Sequence, residues 1–137
     1  MANVVNIGSP FLKFQFVDGD GEVFASFRLN PMDVRIVKRC EEVGDYFESI
    51  HNSLSDTATI DDAIKLNDEI EARICHILGY DAREALFGMV SATAIMEDGN
   101  MFAIHVMEKI IEAITPEIQK RKIAMANALR EHTQKYT

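Results

Sequence analysis

Phe11-Leu12-Lys13-Phe14-Gln15-Phe16-Val17, then Asp18-Gly19-Asp20-Gly21, then Glu22-Val23-Phe24-Ala25-Ser26-Phe27-Arg28-Leu29 is the stretch on which the fold turns. Leu12, Phe14 and Phe16 alternate with Lys13 and Gln15, and Val23, Ala25, Phe27 and Leu29 share one face while Ser26 and Arg28 take the other. A period of two marks half-buried strands. The Asp-Gly-Asp-Gly between them offers glycines that accept positive φ and carboxylates that accept local backbone bonds. Residues 10–29 are therefore predicted to form a β-hairpin. Two strands alone are marginal in water, so their apolar face must pack on a helix or pair with another chain.

Downstream the apolar period lengthens to that of helices. Asn30-Pro31-Met32-Asp33 is expected to open one, with Asn30 as the cap, Pro31 where a missing N–H costs nothing, and an acid in the first turn. Val37, Cys40, Val43, Phe47, Ile50 and Leu54 make its stripe, and the polar residues 53–59 interrupt it. Thr59 and Asp62 resemble a capping box for a second helix, with the stripe Ile60, Ile64, Asn67, Ile70, Ile74 and Ile77 and a stop at Gly79. Asp81 is placed to cap a short helix ending in Leu86-Phe87-Gly88. Residues 89–100 are small, polar and Met-rich, which suits a loop or a loose helical turn. Residues 101–113 predict a strong helix whose inner face holds Phe102, His105 or Val106, Lys109 or Ile110, and Ala113. Thr115-Pro116 either kinks that helix or starts a new one. Beyond it Ile118, Met125 and Leu129 form a thin stripe, too narrow to anchor a helix in a core. The expected architecture is a single domain, mainly α with a short N-terminal β-hairpin. In it a helical body over residues 31–114 forms a bundle from which a basic helical tail, 115–137, projects.

The chain has 137 residues, 47% of them apolar, enough for one core. No run of some 18 apolar residues occurs, and the N-terminus lacks the basic head and apolar stretch of an export signal, so a cytoplasmic protein with no membrane partner is expected. Cys40 and Cys75 lie in helical stretches and are expected to stay thiols. A net charge of −8 argues against nucleic acid, which demands a cationic face. The charge is uneven: residues 41–71 carry ten acids against Lys65, a balance of −9, whereas residues 118–137 carry +4. An acidic body with a basic tail suits docking on an acidic surface, including a second copy, and a homo-oligomer is expected.

Catalytic chemistry finds little to use. Asp18-Gly19-Asp20-Gly21-Glu22 opens like a calcium loop, but such a loop needs Gly sixth and Glu twelfth, where Val23 and Leu29 stand. Glu48 with His51, and His105 with Glu108, put a carboxylate and an imidazole one turn apart, as in di-iron bundles, yet only the first pair has the order Glu before His. A metal-dependent bundle using these four is the enzyme alternative. Cys75 and His76, as helix neighbours, point about 100° apart and cannot form a dyad. Phosphate loops, HExxH and GxSxG are absent. No catalytic, cofactor-binding or metal-binding residue is assigned, and no enzyme activity is expected. Adaptable protein-binding surfaces are expected instead at Phe24, if its ring faces outward to a neighbouring copy, at Met89, Met96 and Met101, and at Lys120, Arg121 and Lys122.

The order of elements resembles that of a known group. Phe14-Gln15-Phe16 and Ala25-Ser26-Phe27-Arg28-Leu29 lead into an acidic helix, then Leu86-Phe87-Gly88, a variable loop, and an Ile- and Glu-rich helix running into a basic tail. From Phe11 to Thr137 the chain resembles the tail assembly chaperones of long-tailed bacteriophages and prophages of Gram-positive bacteria. The resemblance implies a non-enzymatic assembly factor of the host bacterial cytoplasm, absent from the mature virion. It would coat the long coiled tape measure protein, keep it soluble and recruit tail tube protein, and the gene would often yield a longer frameshifted product. A helical regulatory adaptor binding one folded partner is the alternative within the binding class.

Overall fold

A computed structural model describes residues 2–51 and 59–135, except for the side chains at 51, 121–122, 125 and 130–135. Strands β1 (Leu12–Val17) and β2 (Val23–Leu29) form an antiparallel hairpin with Phe14 opposite Phe27 and Phe16 opposite Ala25. Its turn is held by Asp18, whose carboxylate accepts the N–H groups of Asp20 and Glu22 at 2.9 and 3.0 Å, while Gly21 takes φ 82°. The register slips at the turn end, where Val17 faces Val23, leaving Phe24 as an extra residue on β2. Such a bulge puts two successive side chains on nearly the same side and tightens the local twist. Phe24 consequently joins Phe16 on the inner face, their ring centroids 6.3 Å apart. Of the two orientations open to Phe24, the inward one is thus taken.

Helix α1 (Arg35–His51) starts later than Asn30-Pro31 suggested. Asn30 instead closes a turn, its carbonyl accepting the Asp33 N–H at 3.2 Å and its side chain the Met32 N–H at 3.0 Å. Asp33 takes over the start of the helix by accepting the Arg35 N–H at 3.0 Å and its guanidinium at 3.1 Å. Ile36 and Val43 are its buried residues, with Val37, Cys40, Phe47 and Ile50 half-buried beside them. Leu54 lies outside the described residues. Helix α2 (Ile60–Leu78) has the expected ends: Thr59 accepts the Asp62 N–H at 3.1 Å, and Gly79 stops it at φ 79°.

The α2 stripe, however, is buried only from Ile70 onward; Ile60 and Ile64 are 77% and 54% exposed. Asn67 marks the change, because its Oδ1 accepts the N–H and hydroxyl of Thr93 at 3.1 and 3.0 Å and its amide donates to Glu71 at 2.7 Å. It fastens the loop before the last helix rather than filling an apolar stripe. Helix α3 (Arg83–Phe87) seats Leu86 and Phe87, with Asp81 accepting the Arg83 N–H at 3.2 Å.

Helix α4 (Phe102–Lys135) runs through Pro116 without a break, so residues 115–135 continue the body helix rather than begin a new one. Thr115 does not cap; its hydroxyl donates back to the Ile111 carbonyl at 2.8 Å. Phe102, Ala103, Val106, Met107, Ile110 and Ile114 face the core, and Val106 and Ile110 hold the places for which His105 and Lys109 also qualified by spacing. Past Ile114, among the described residues only Ile118 touches the core's edge, while Ile123 and Leu129 are 62% and 65% exposed. At 1.5 Å per residue the helix extends roughly 30 Å beyond Ile114, the last buried residue among those described. No helix among the described residues is long and apolar enough to cross a membrane.

Candidate functional site

Where the hairpin tip meets the start of α4, four apolar side chains make the floor of an open groove of about 560 Å³: Phe16, Phe24, Met96 and Phe102. Phe102 is the anchor, 1% exposed, with the rings of Phe16, Phe24 and Phe87 at 5.2, 5.6 and 5.9 Å. Edge-on and tilted packing of this kind suits aromatic quadrupoles and holds the floor rigid. Asp18, Glu97 and Asp98 form an acidic rim, with His105 and Lys109 on the helix side.

The rim is held from the sequence upward. The segment 96–100 folds back on itself, Gly99 N–H to the Met96 carbonyl and Met96 N–H to the Asn100 carbonyl, both at 2.9 Å, and Ile95 bridges Met101. Asp98 accepts the Asn100 N–H at 3.0 Å and lies 3.0 Å from His105 Nε2. The Asn100 N–H, with His105 second, holds its carboxyl below the usual range. Lys109 is engaged by Glu112 at 3.1 Å. Glu97 is exposed and has no ion-pair or hydrogen-bond partner among the described residues. The groove is therefore an apolar slot with a net negative lip, suited to an apolar side chain flanked by cations.

On the other side of the same fold-back, Phe47, Ile50, Ile95, Met101 and Ile104 line a second apolar groove of about 540 Å³. The predicted methionines thus separate: Met96 floors the first groove, Met101 lines the second, and Met89 stands 77% exposed, lining neither. Lys120 lies far along α4, 72% exposed and 3.2 Å from Glu117, and the side chains of Arg121 and Lys122 fall outside the description.

A third cleft, of about 520 Å³, is lined by Arg39, Cys75, His76, Tyr80, Asp81 and Arg83. Its cations are spoken for: Arg39 faces Asp33 at 3.8 Å, His76 faces Glu42 at 3.4 Å, and Arg83 donates to the Asp68 carbonyl at 3.3 Å. Burial raises the thiol pKa of Cys75 and pushes that of Cys40 up to about 11, so neither is a ready nucleophile. Among the described residues no three His, Cys, Asp or Glu side chains come together to hold a metal. His105 turns to Asp98, and the His51 side chain lies outside the description.

Two features escaped the sequence. Arg28 lies over the rings of Tyr80 and Phe11 at 4.5 and 5.2 Å, and its N–H donates to the Tyr80 hydroxyl at 2.9 Å, tying β2 to the α2–α3 connection. Ser91-Ala92-Thr93 is seated by Asn67, with Ala92 fully buried. Nothing local marks either, since both depend on partners more than 20 residues away. Compared with protein-family models, curated proteins and solved structures, the chain matches none.

Proposed function

We propose that the chain is a non-enzymatic assembly factor that binds an amphipathic helix of another protein in the groove between hairpin and α4. Its class would be that of the phage tail assembly chaperones its sequence resembles, its first partner a tape measure protein and its second tail tube protein. The observation that carries this is the groove itself: Phe16, Phe24 and Met96, partly open to solvent and seated on the buried Phe102 ring, with an acidic lip. An apolar slot of that kind exacts a solvation cost when empty, and a helix presenting apolar residues at i and i+4 between Lys or Arg relieves it. Tape measure proteins are long and coiled, so many copies would bind in series, each covering one apolar patch.

The test is co-expression with a tape measure protein, with soluble yield and binding ratio as readouts. Wild type should keep the partner soluble at many copies per partner. Met96→Glu, which puts a charge on the groove floor, should abolish this while the chain still melts cooperatively. Binding at one copy per partner would instead favour a regulatory adaptor, and undiminished binding by Met96→Glu would remove the groove from the account.

A further inference from the structure

The fold-back over 96–100 is a tight turn whose first three residues line the groove. Its Gly99 N–H donates to the Met96 carbonyl at 2.9 Å, Gly99 takes φ 86°, and the Ile95–Met101 bridge closes the ends, so Glu97 and Asp98 hold the two central positions of a β-turn. The two acids are used differently. Asp98 commits its carboxylate within the chain: it accepts the Asn100 N–H at 3.0 Å and the Asn100 side-chain amide at 3.2 Å, and lies 3.0 Å from His105 Nε2. Asp18, the third acid of the lip, gives one oxygen to the N–H groups of Asp20 and Glu22. Glu97 is exposed, and of the three it alone has neither carboxylate oxygen engaged among the described residues.

We propose that Glu97 is the specificity-determining residue of this groove and that it selects an arginine on the partner helix, one turn from the apolar residue that enters the slot; this rests on the groove being a helix-binding site. A carboxylate with both oxygens free accepts two parallel N–H bonds from a guanidinium. Asp18 and Asp98 cannot offer that without releasing the bonds that hold their turns. Lysine brings the same charge but only a compact point donor, so it fits the free carboxylate less well than arginine does. Glu97 also follows Met96, which floors the slot, so a charged and an apolar contact are offered side by side. On a helix the residues that can serve both are three or four apart. Lys109, on the helix side of the groove, is paired with Glu112 at 3.1 Å and leaves Glu97 free. The backbone of the turn is already fixed, so only the Glu97 side chain has to be ordered when a partner binds.

Fluorescence anisotropy of the full chain with designed helical peptides of about 18 residues tests this. Each peptide carries leucine at i and i+4, and they differ only at the positions flanking the leucines on either side, which hold Arg, Lys or Gln. Wild type should bind the Arg peptide at least about tenfold tighter than the Gln peptide, with the Lys peptide between them. Glu97→Gln should bring all three within about threefold of one another. Glu41→Gln removes the same charge from an exposed position on α1 outside the groove and should keep the order. Met96→Glu should abolish binding of every peptide. A Lys peptide that binds as tightly as the Arg peptide or tighter, an Arg preference that survives Glu97→Gln, or an equal loss in Glu41→Gln would each overturn the assignment of Glu97; if Met96→Glu still removes binding, the groove itself stands. Wild type that binds no peptide, or binding indifferent to Met96→Glu, would overturn this inference and the groove together.

Discussion

Truncating Phe24 to Ala isolates the consequence of the bulge in β2. Strict alternation would leave this ring in solvent, whereas the register slip sets it half-buried against Phe16 and Phe102, at 6.3 and 5.6 Å. A fully buried Phe→Ala change costs about 3–5 kcal/mol, so half-burial implies a loss of roughly 2 kcal/mol. With an unfolding entropy of about 2.1 cal/mol/K per residue, 137 residues give roughly 0.29 kcal/mol/K, and Tm should fall by about 7 °C. Val23→Ala is the control, because Val23 sits one residue earlier and is 47% exposed. It should cost about 0.5 kcal/mol and move Tm by no more than about 2 °C. Thermal melts followed by circular dichroism read both. If Phe24→Ala melts with Val23→Ala, the ring is not packed on Phe102 and the explanation of the groove floor fails.

Other consequences are as specific. Asn67→Leu keeps the branched shape but removes the acceptor for Thr93, and should cost about 1–3 kcal/mol, with amide exchange accelerating at 91–94 ahead of the rest; unchanged exchange there would show that the loop is held otherwise. Tyr80→Phe withdraws the acceptor of the Arg28 N–H but leaves the ring under the guanidinium, so urea unfolding should show a loss of about 0.5–1 kcal/mol rather than collapse. Cys40 should react slowly with iodoacetamide at about pH 8, since burial keeps its thiol protonated. A pKa raised on folding contributes stability that is complete below the unfolded value of 9.0 and is lost as pH rises toward about 11, so Cys40→Ala should flatten that alkaline limb.

The elements written in short-range pattern were legible from the chain alone. Alternation over β1 and β2, Asp18 with Gly21 at the turn, Thr59 and Gly79 at the ends of α2, and Leu86-Phe87 in α3 all state their structure within a few residues. The misplacements arose where another contact, near or distant in the chain, overruled the expected signal. Pro31 satisfies every rule for a first helical residue, yet Asn30 spends its side chain and carbonyl on a turn, and the helix waits for Asp33. Ile60 and Ile64 continue the period of Ile70 and Ile74, but Asn67 has anchored the 91–94 loop before the stripe reaches them. Phe24 depends on a one-residue slip that composition does not announce. The groove was legible only in parts, as an aromatic hairpin and a Met-rich loop. Their meeting over Phe102 is tertiary, and no period in the sequence encodes it.

Hydrogen exchange of the chain with and without a bound tape measure helix tests the central claim most directly, because it maps the contact without altering a residue. Protection is predicted over 16–18, 96–98 and 102–109, the segments that build the groove, with no change over 72–83, which line the cleft at Arg39 and Arg83. Protection confined to 72–83, or binding that protects none of the groove segments, would contradict it.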